Sequence, residues 1–190
     1  VSCLHDGALE CTYRVEIPWS LPESLSADGR ARSDRRVPYT IVNYITIRRG
    51  QPWVEVVTEL DNVARDHYLR VAVPAWIDDA VHAAQAPLDV VERPVDLPDP
   101  GRFDELPQAE QPTSGFVDLS ARDGECGVAL LADGLRAYTI TRDVHPVIEL
   151  TLLRAYGMKF FVPEKHDHAE LSAGSQCPGK YRFRYAVYPH

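Results

Sequence analysis

The chain lacks an excess of positive charge, a long apolar run and a dense set of cysteines, and each lack closes off a class of function. Lys and Arg number 20 against 28 Asp and Glu, a net charge of −8 at neutral pH. A protein that grips nucleic acid by its phosphates shows a basic stripe, so no nucleic-acid partner is expected. No stretch reaches the roughly 18 apolar residues of a helical membrane span, so no membrane partner is expected either. The four cysteines, Cys3, Cys11, Cys126 and Cys177, are too scattered for a disulfide-stapled fold and form no C-x-x-C pair. They read as reduced thiols of a cytoplasmic protein, with a Cys3–Cys11 or a long-range bridge as the open alternative. There is no basic-then-apolar leader, and the sequence starts at Val1 and ends just after a strand-like run. A piece of a larger protein is the expectation.

Catalytic signatures are missing as well. The chain has no G-x-S-x-G elbow, no H-E-x-x-H and no G-x-x-x-x-G-K-[ST] loop. Gly124-Glu125-Cys126-Gly127 reads as a turn entering a strand. Nothing beside Cys126 would lower its pKa and activate the thiol.

What is present is alternation with period two. Leu9, Cys11, Tyr13, Val15 and Ile17 share one parity, while Glu10, Thr12, Arg14 and Glu16 take the other, the signature of a half-buried strand. Residues 40–48 repeat it, Arg49-Gly50-Gln51-Pro52 makes a turn, and Trp53–Leu60 returns as the second arm of a hairpin. There Val54, Val56 and Leu60 face the core, with Glu55, Glu59 and Asp61 opposite. Further strands are expected at Tyr68–Val73, Gly115–Leu119, Gly127–Ala132, Leu135–Thr141, Val147–Arg154 and Tyr181–Tyr188. No window sustains a helical period; Ile77–Gln85, with one or two turns, comes nearest. So many alternating strands must bury their apolar faces against each other, which gives an all-β fold, a large antiparallel β-sandwich in one domain spanning 1–190. Residues 18–37 read as a long exposed loop. Residues 94–114, with Pro94, Pro98, Pro100, Pro107 and Pro112, are too proline-rich for a sheet interior.

Four groups of residues carry chemistry worth weighing. Glu55, Glu59 and Asp61 place carboxylates on one strand face, as acid and nucleophile of a glycosidase would be, or simply as a solvated face. His166 and His168 flank Asp167 at a spacing that offers two metal ligands without naming a third. Asp61-Asn62-Val63-Ala64-Arg65-Asp66-His67 links two strands and holds the makings of a local charge network. Asp89-Val90-Val91-Glu92-Arg93-Pro94 sets an acid–base pair at the mouth of the proline-rich loop.

Several of these segments, taken in order, resemble the C-terminal β-sandwich of glycoside hydrolase family 38 α-mannosidases, including bacterial mannosylglycerate-hydrolase-like members. They are Thr58-Glu59-Leu60-Asp61-Asn62 through Arg65-Asp66-His67-Tyr68-Leu69-Arg70-Val71, then Asp89–Pro94, Gly115-Phe116-Val117-Asp118-Leu119-Ser120 and Gly127–Leu135. Leu150-Thr151-Leu152-Leu153-Arg154 and Tyr185-Ala186-Val187-Tyr188-Pro189-His190 complete the series. The resemblance implies a galactose-mutarotase-like supersandwich. It also implies a separate N-terminal catalytic domain that bears the nucleophilic Asp and a zinc ion, with no catalytic residue, metal site or cofactor in this chain. The partners it implies are that catalytic domain and a mannose-containing carbohydrate. Asp89, Glu92 and Arg93 are the residues expected to reach the rim of the sugar site, through carboxylate acceptors and a guanidinium fork. Two alternatives stand beside this reading. One is a free-standing carbohydrate-binding module with an aromatic platform from Trp53, Trp76 or Tyr68. The other is an aldose-epimerase-like enzyme pairing a His acid with a carboxylate base.

Overall fold

The computed structural model describes residues 1–101, 106–142, 144–157 and 173–190. Among the described residues, thirteen strands follow in chain order. They are β1 (Ser2–Asp6), β2 (Glu10–Pro22), β3 (Arg36–Arg48), β4 (Val54–Asn62), β5 (His67–Pro74), β6 (Ala80–Gln85) and β7 (Val90–Pro94). After them come β8 (Glu110–Pro112), β9 (Phe116–Ala121), β10 (Gly127–Asp133), β11 (Ala137–Arg142), β12 (Pro146–Ala155) and β13 (Gly179–Pro189). They form a nine-stranded sheet ordered β1-β2-β3-β4-β13-β10-β9-β6-β7 and a four-stranded sheet ordered β5-β12-β11-β8. The neighbouring strands pair antiparallel. The expected antiparallel all-β architecture is therefore the one observed. No helix among the described residues is long and apolar enough to cross a membrane.

Alternation sets which side chains meet. Val56 and Leu60 on β4, Val117 and Leu119 on β9, Leu130 on β10, and Tyr138, Ile148 and Leu150 from the smaller sheet interdigitate in one cluster. Most of these are sealed from solvent altogether, and burying a side chain of that size contributes about 1.5–3 kcal/mol. Glu55, Glu59 and Asp61 take the opposite face of β4, as their parity requires.

The structure differs from the sequence reading at several elements. Ile77–Gln85 is no helix: Ala80–Gln85 is a strand, because β6 is held between β9 and β7 and alternates buried Ala80, His82 and Ala84 with half-buried Val81 and Ala83. The two arms flanking the 18–37 loop run further than expected, to Pro22 and from Arg36. The short β1, β7 and β8 carry too few residues to show a pattern. β8 ends in Pro112 at an outer edge of its sheet, where a missing N–H costs no ladder bond. All four cysteines are free.

The β3–β4 hairpin turns at Gly50 with φ +78° and open space where a Cβ would go. Only the backbone conformation constrains this position, so Gly50→Ala lowers stability by about 1 kcal/mol, the left-handed penalty for an L-residue. Urea unfolding of the variant beside the parent chain measures it.

The Asp61–His67 segment is where the chain leaves the large sheet for the small one, and it is tied down by polar groups. Asp66 sits at φ +55°. Its carboxylate accepts from Gln176 Nε2 at 2.7 Å and from the backbone N–H of Leu25 at 3.2 Å, while its own N–H donates to Gln176 Oε1 at 2.9 Å. Arg32 donates to the carbonyls of Asp66, Pro22 and Arg65. Asn62 Nδ2 donates to the carbonyls of Gln176 and Cys177. Three segments distant in sequence thus share one hydrogen-bond network.

The two sheets are unequal in width. At roughly 4.8 Å between strands, nine strands span about 38 Å and four about 14 Å. The overhang falls at the β1 end: every residue of β1 is exposed and none of β2 is buried. On the face that buries Ile41, the register continues through Tyr13 opposite Ile45 and Cys11 opposite Ile47. Tyr13 is 41% and Ile47 50% exposed, so the core face runs on into solvent as an apolar strip.

Candidate functional site

One cleft combines apolar walls with buried polar groups. On the outermost pair of the large sheet, β6 and β7, Arg93 lies directly opposite His82. Both side chains turn toward the smaller sheet, where Tyr138 of β11 meets them. Arg93 Nη1 donates to the Tyr138 hydroxyl at 3.3 Å. The His82 ring meets the Tyr138 ring edge-on, 5.6 Å between centroids at 79°. Pro94 at the end of β7, Val95 and Leu97 of the proline-rich segment after it, and Ile140 of β11 wall a cavity of about 420 Å³.

The electrostatics follow from that packing. His82 is only 5% exposed, and neither ring nitrogen finds a hydrogen-bond partner among the described residues. Burial, and then the neighbouring Arg93 charge, push its pKa down to about 4, so the ring is neutral at pH 7. Burial raises the Tyr138 hydroxyl, with Arg93 acting in the opposite sense. Arg93 itself has no ion-pair partner among the described residues; the nearby Asp96 pairs with Arg142 at 3.4 Å. The cleft therefore offers an unpaired guanidinium, one imidazole donor and one imidazole acceptor.

The structure does not bring Asp89, Glu92 and Arg93 together. Asp89 builds the β6–β7 turn, its carbonyl accepting from Ala86 N–H at 2.7 Å and its Oδ1 from Val90 N–H at 2.8 Å. Glu92 and Arg93 are consecutive in a strand and point to opposite faces, with Glu92 in solvent and Arg93 in the cleft. His82 and Tyr138 were not singled out from sequence. The legible signal is a histidine on the apolar parity of Ala80-Val81-His82-Ala83-Ala84.

The remaining groups are scattered. Glu55 pairs with Arg48 at 2.5 Å and accepts from Gln51 Nε2; these contacts hold its carboxyl below the usual range. Glu59 pairs with Arg182 at 3.5 Å on the same outer face, which carries two open depressions of about 590 and 490 Å³. Trp76 is exposed against His145, Tyr68 lies beneath the guanidinium groups of Arg70 and Arg154, and Trp53 lines the larger of these depressions. His–carboxylate contacts occur at His190–Asp118, 2.8 Å, and at His145–Asp78, 3.3 Å, but neither pair lines the Arg93 cleft. No three His, Cys, Asp or Glu side chains among the described residues gather to hold a metal. The expected metal pair His166 and His168 lies outside the described residues.

Known proteins share this fold. A Halalkalibacterium halodurans protein named "Putative mannosylglycerate hydrolase" is 29% identical over 164 residues, covering 84% of this chain and 16% of its own length. An α-mannosidase from Enterococcus faecalis V583 superposes over 100% of this chain and 22% of its own, with a TM-score of 0.83 at 22% identity. A family 38 glycosyl hydrolase from Enterococcus faecalis gives a TM-score of 0.80 over the same shares at 22% identity. This chain thus spans about a sixth to a fifth of the length of these relatives. The pattern of the "Glycosyl hydrolases family 38 C-terminal domain" matches residues 11–159, from β2 to just beyond β12. The two-sheet antiparallel fold agrees with this match, which covers most of the chain and shows that it belongs to glycosyl hydrolase family 38, as its C-terminal domain.

Proposed function

We propose that this chain is the non-catalytic C-terminal domain of a cytoplasmic α-mannosidase and packs on a catalytic domain of the same protein. The observation that carries the proposal is the overhang of the large sheet. Beyond Ile45, which still packs on the core, Tyr13 and Ile47 continue the core face into solvent, and an exposed apolar patch of this kind marks an interaction surface. Its occupant is the part of the longer protein that precedes the sandwich in the relatives. Zinc and the nucleophile belong to that part. Asp89 and Glu92 are exposed at the β6–β7 edge, the opposite end of the large sheet from Tyr13 and Ile47, and are the side chains a sugar would meet at that edge; Arg93 would reach it only from the cleft side.

The test compares this chain with the longer protein that carries it, using an aryl α-mannoside. The chain alone gives no turnover and retains no stoichiometric zinc, whereas the longer protein gives both. Tyr13→Glu with Ile47→Asp leaves the isolated chain's unfolding nearly unchanged and lowers the longer protein's melting temperature. Turnover by the isolated chain, or a longer protein indifferent to the double substitution, rejects the proposal. In the longer protein, Asp89→Ala and Glu92→Ala raise KM if these residues touch the sugar, and leave kinetics unchanged if the domain only braces the enzyme.

A further inference from the structure

We propose that the cleft between β7 and β11 is a binding site for a small organic carboxylate with an apolar body. Three observations converge on that chemistry. First, Arg93 is a partly buried cation that meets no carboxylate among the described residues and is held only by the Tyr138 hydroxyl, at 3.3 Å. A guanidinium presents a planar fork of donors that matches a carboxylate's two oxygens. Second, His82 lines the same cavity, is 5% exposed, and leaves both ring nitrogens unpartnered. A buried polar side chain with unmet hydrogen-bonding capacity is costly unless something supplies the partner, and such groups in native proteins call for a specific reason. Third, Pro94, Val95, Leu97 and Ile140 give the cavity apolar walls beside the polar Gln108, Gln111 and Asp96, the last paired to Arg142, and its volume of about 420 Å³ has room for a ligand of several heavy atoms. Pockets of a few hundred Å³ with apolar walls and a few convergent polar groups are the ordinary form of small-molecule sites.

Selectivity follows from the same parts. An uncharged alcohol leaves the guanidinium desolvated without a counter-charge. Acetate satisfies Arg93 but leaves the apolar walls wet. A neutral sugar brings no counter-charge to the guanidinium and no apolar body to the walls. A carboxylate on an aromatic or branched aliphatic body meets all three demands.

The experiment titrates the purified chain at pH 7 with benzoate, acetate, benzyl alcohol and methyl α-mannoside, following the ring proton resonances of His82. Those resonances are assigned by their loss in His82→Gln. Benzoate shifts and saturates them, acetate binds more weakly, and benzyl alcohol and the mannoside do not saturate. Arg93→Met keeps the apolar stem and weakens benzoate about tenfold or more, the loss of a charge-assisted hydrogen-bonded pair. Should that variant fail to give a cooperative melt, Arg93→Lys keeps the charge without the fork and also weakens binding. Tyr138→Phe removes the hydroxyl that competes for the guanidinium and retains binding. Benzyl alcohol binding as tightly as benzoate, benzoate affinity unchanged in both Arg93 variants, or no saturation by any probe overturns the carboxylate site. Saturation by the mannoside in place of benzoate also overturns it and returns Arg93 to the sugar, so this outcome is distinct from failure of the domain-docking proposal.

Discussion

Replacing Asp66 with alanine lowers the unfolding free energy by about 2–4 kcal/mol, a large share of the stability of a domain this size. The carboxylate holds two donors, Gln176 Nε2 and the Leu25 N–H, and both lose their partner together. Water reaches both donors in part, so each lost bond costs about 0.5–1.5 kcal/mol, the net worth of an ordinary hydrogen bond. Alanine also pays for the φ of +55°, a conformation that Asp and Asn tolerate better than other residues. Asp66→Asn keeps that tolerance and one carbonyl acceptor, so it loses roughly half as much. Burial opposes ionisation of Asp66, but the hydrogen bonds from Gln176 and Leu25 and the charge of Arg32 outweigh it, and the carboxyl stays below its ordinary range. A carboxyl depressed in the folded state contributes stability that is present above the unfolded value near 3.9 and is lost as pH falls through the folded value. The wild-type advantage over Asp66→Ala therefore shrinks on acidification below about pH 4. Urea unfolding at pH 7 and at pH 3 measures both effects, and a change at pH 7 within about 0.5 kcal/mol, the scatter of ordinary surface substitutions, would show that the knot does not hold the three segments.

Period-two alternation was legible because it is a local property: a strand with one wet face must write it into consecutive residues. It therefore located β2 to β5 and β9 to β13 and the faces of β4. It missed β6 because that strand is nearly apolar throughout, and a short run of Ala and Val looks alike as helix or strand until its neighbours are known. The candidate cleft was half legible. Arg93 stood out as a charge at the edge of a proline-rich segment. Its partners His82 and Tyr138 come from strands 11 and 45 residues away, and only the pairing of β7 with β6 and the stacking of the two sheets bring them to it. Glu92 illustrates the converse. It was read with Arg93 because they are adjacent in sequence, and adjacency within a strand is what sends two side chains to opposite faces. The Asp61–His67 network was visible as composition, while its reach to Leu25 and Gln176 is tertiary and left no local trace.

Acidification from pH 7 to pH 4 removes about 3 kcal/mol of stability through His82 alone. The imidazole titrates near 6.5 in the unfolded chain and at about 4 when folded. A histidine whose folded pKa is depressed contributes its full stability above pH 6.5, where both states are neutral. Below that value the unfolded chain takes up a proton that the folded chain refuses, and stability falls by up to about 1.4 kcal/mol per pH unit until the folded ring also charges. His82→Leu tests this cleanly. It removes two buried nitrogens that have no partner among the described residues, so the variant is as stable as the parent at pH 7 or more so. On acidification it keeps the loss due to carboxylates such as Asp66 and Glu55, common to both proteins, and lacks the histidine component. Chemical unfolding of the two at pH 7 and pH 4.5 isolates the difference, and parallel losses would show that His82 is not held neutral by its surroundings. The cause has two parts, burial and the charge of Arg93, and the second is removable. An anion on the guanidinium offsets that charge and raises the folded pKa of His82. Saturating benzoate therefore reduces the acid loss of the parent chain and leaves that of His82→Leu without this relief, joining the stability of the fold to the occupancy of the cleft.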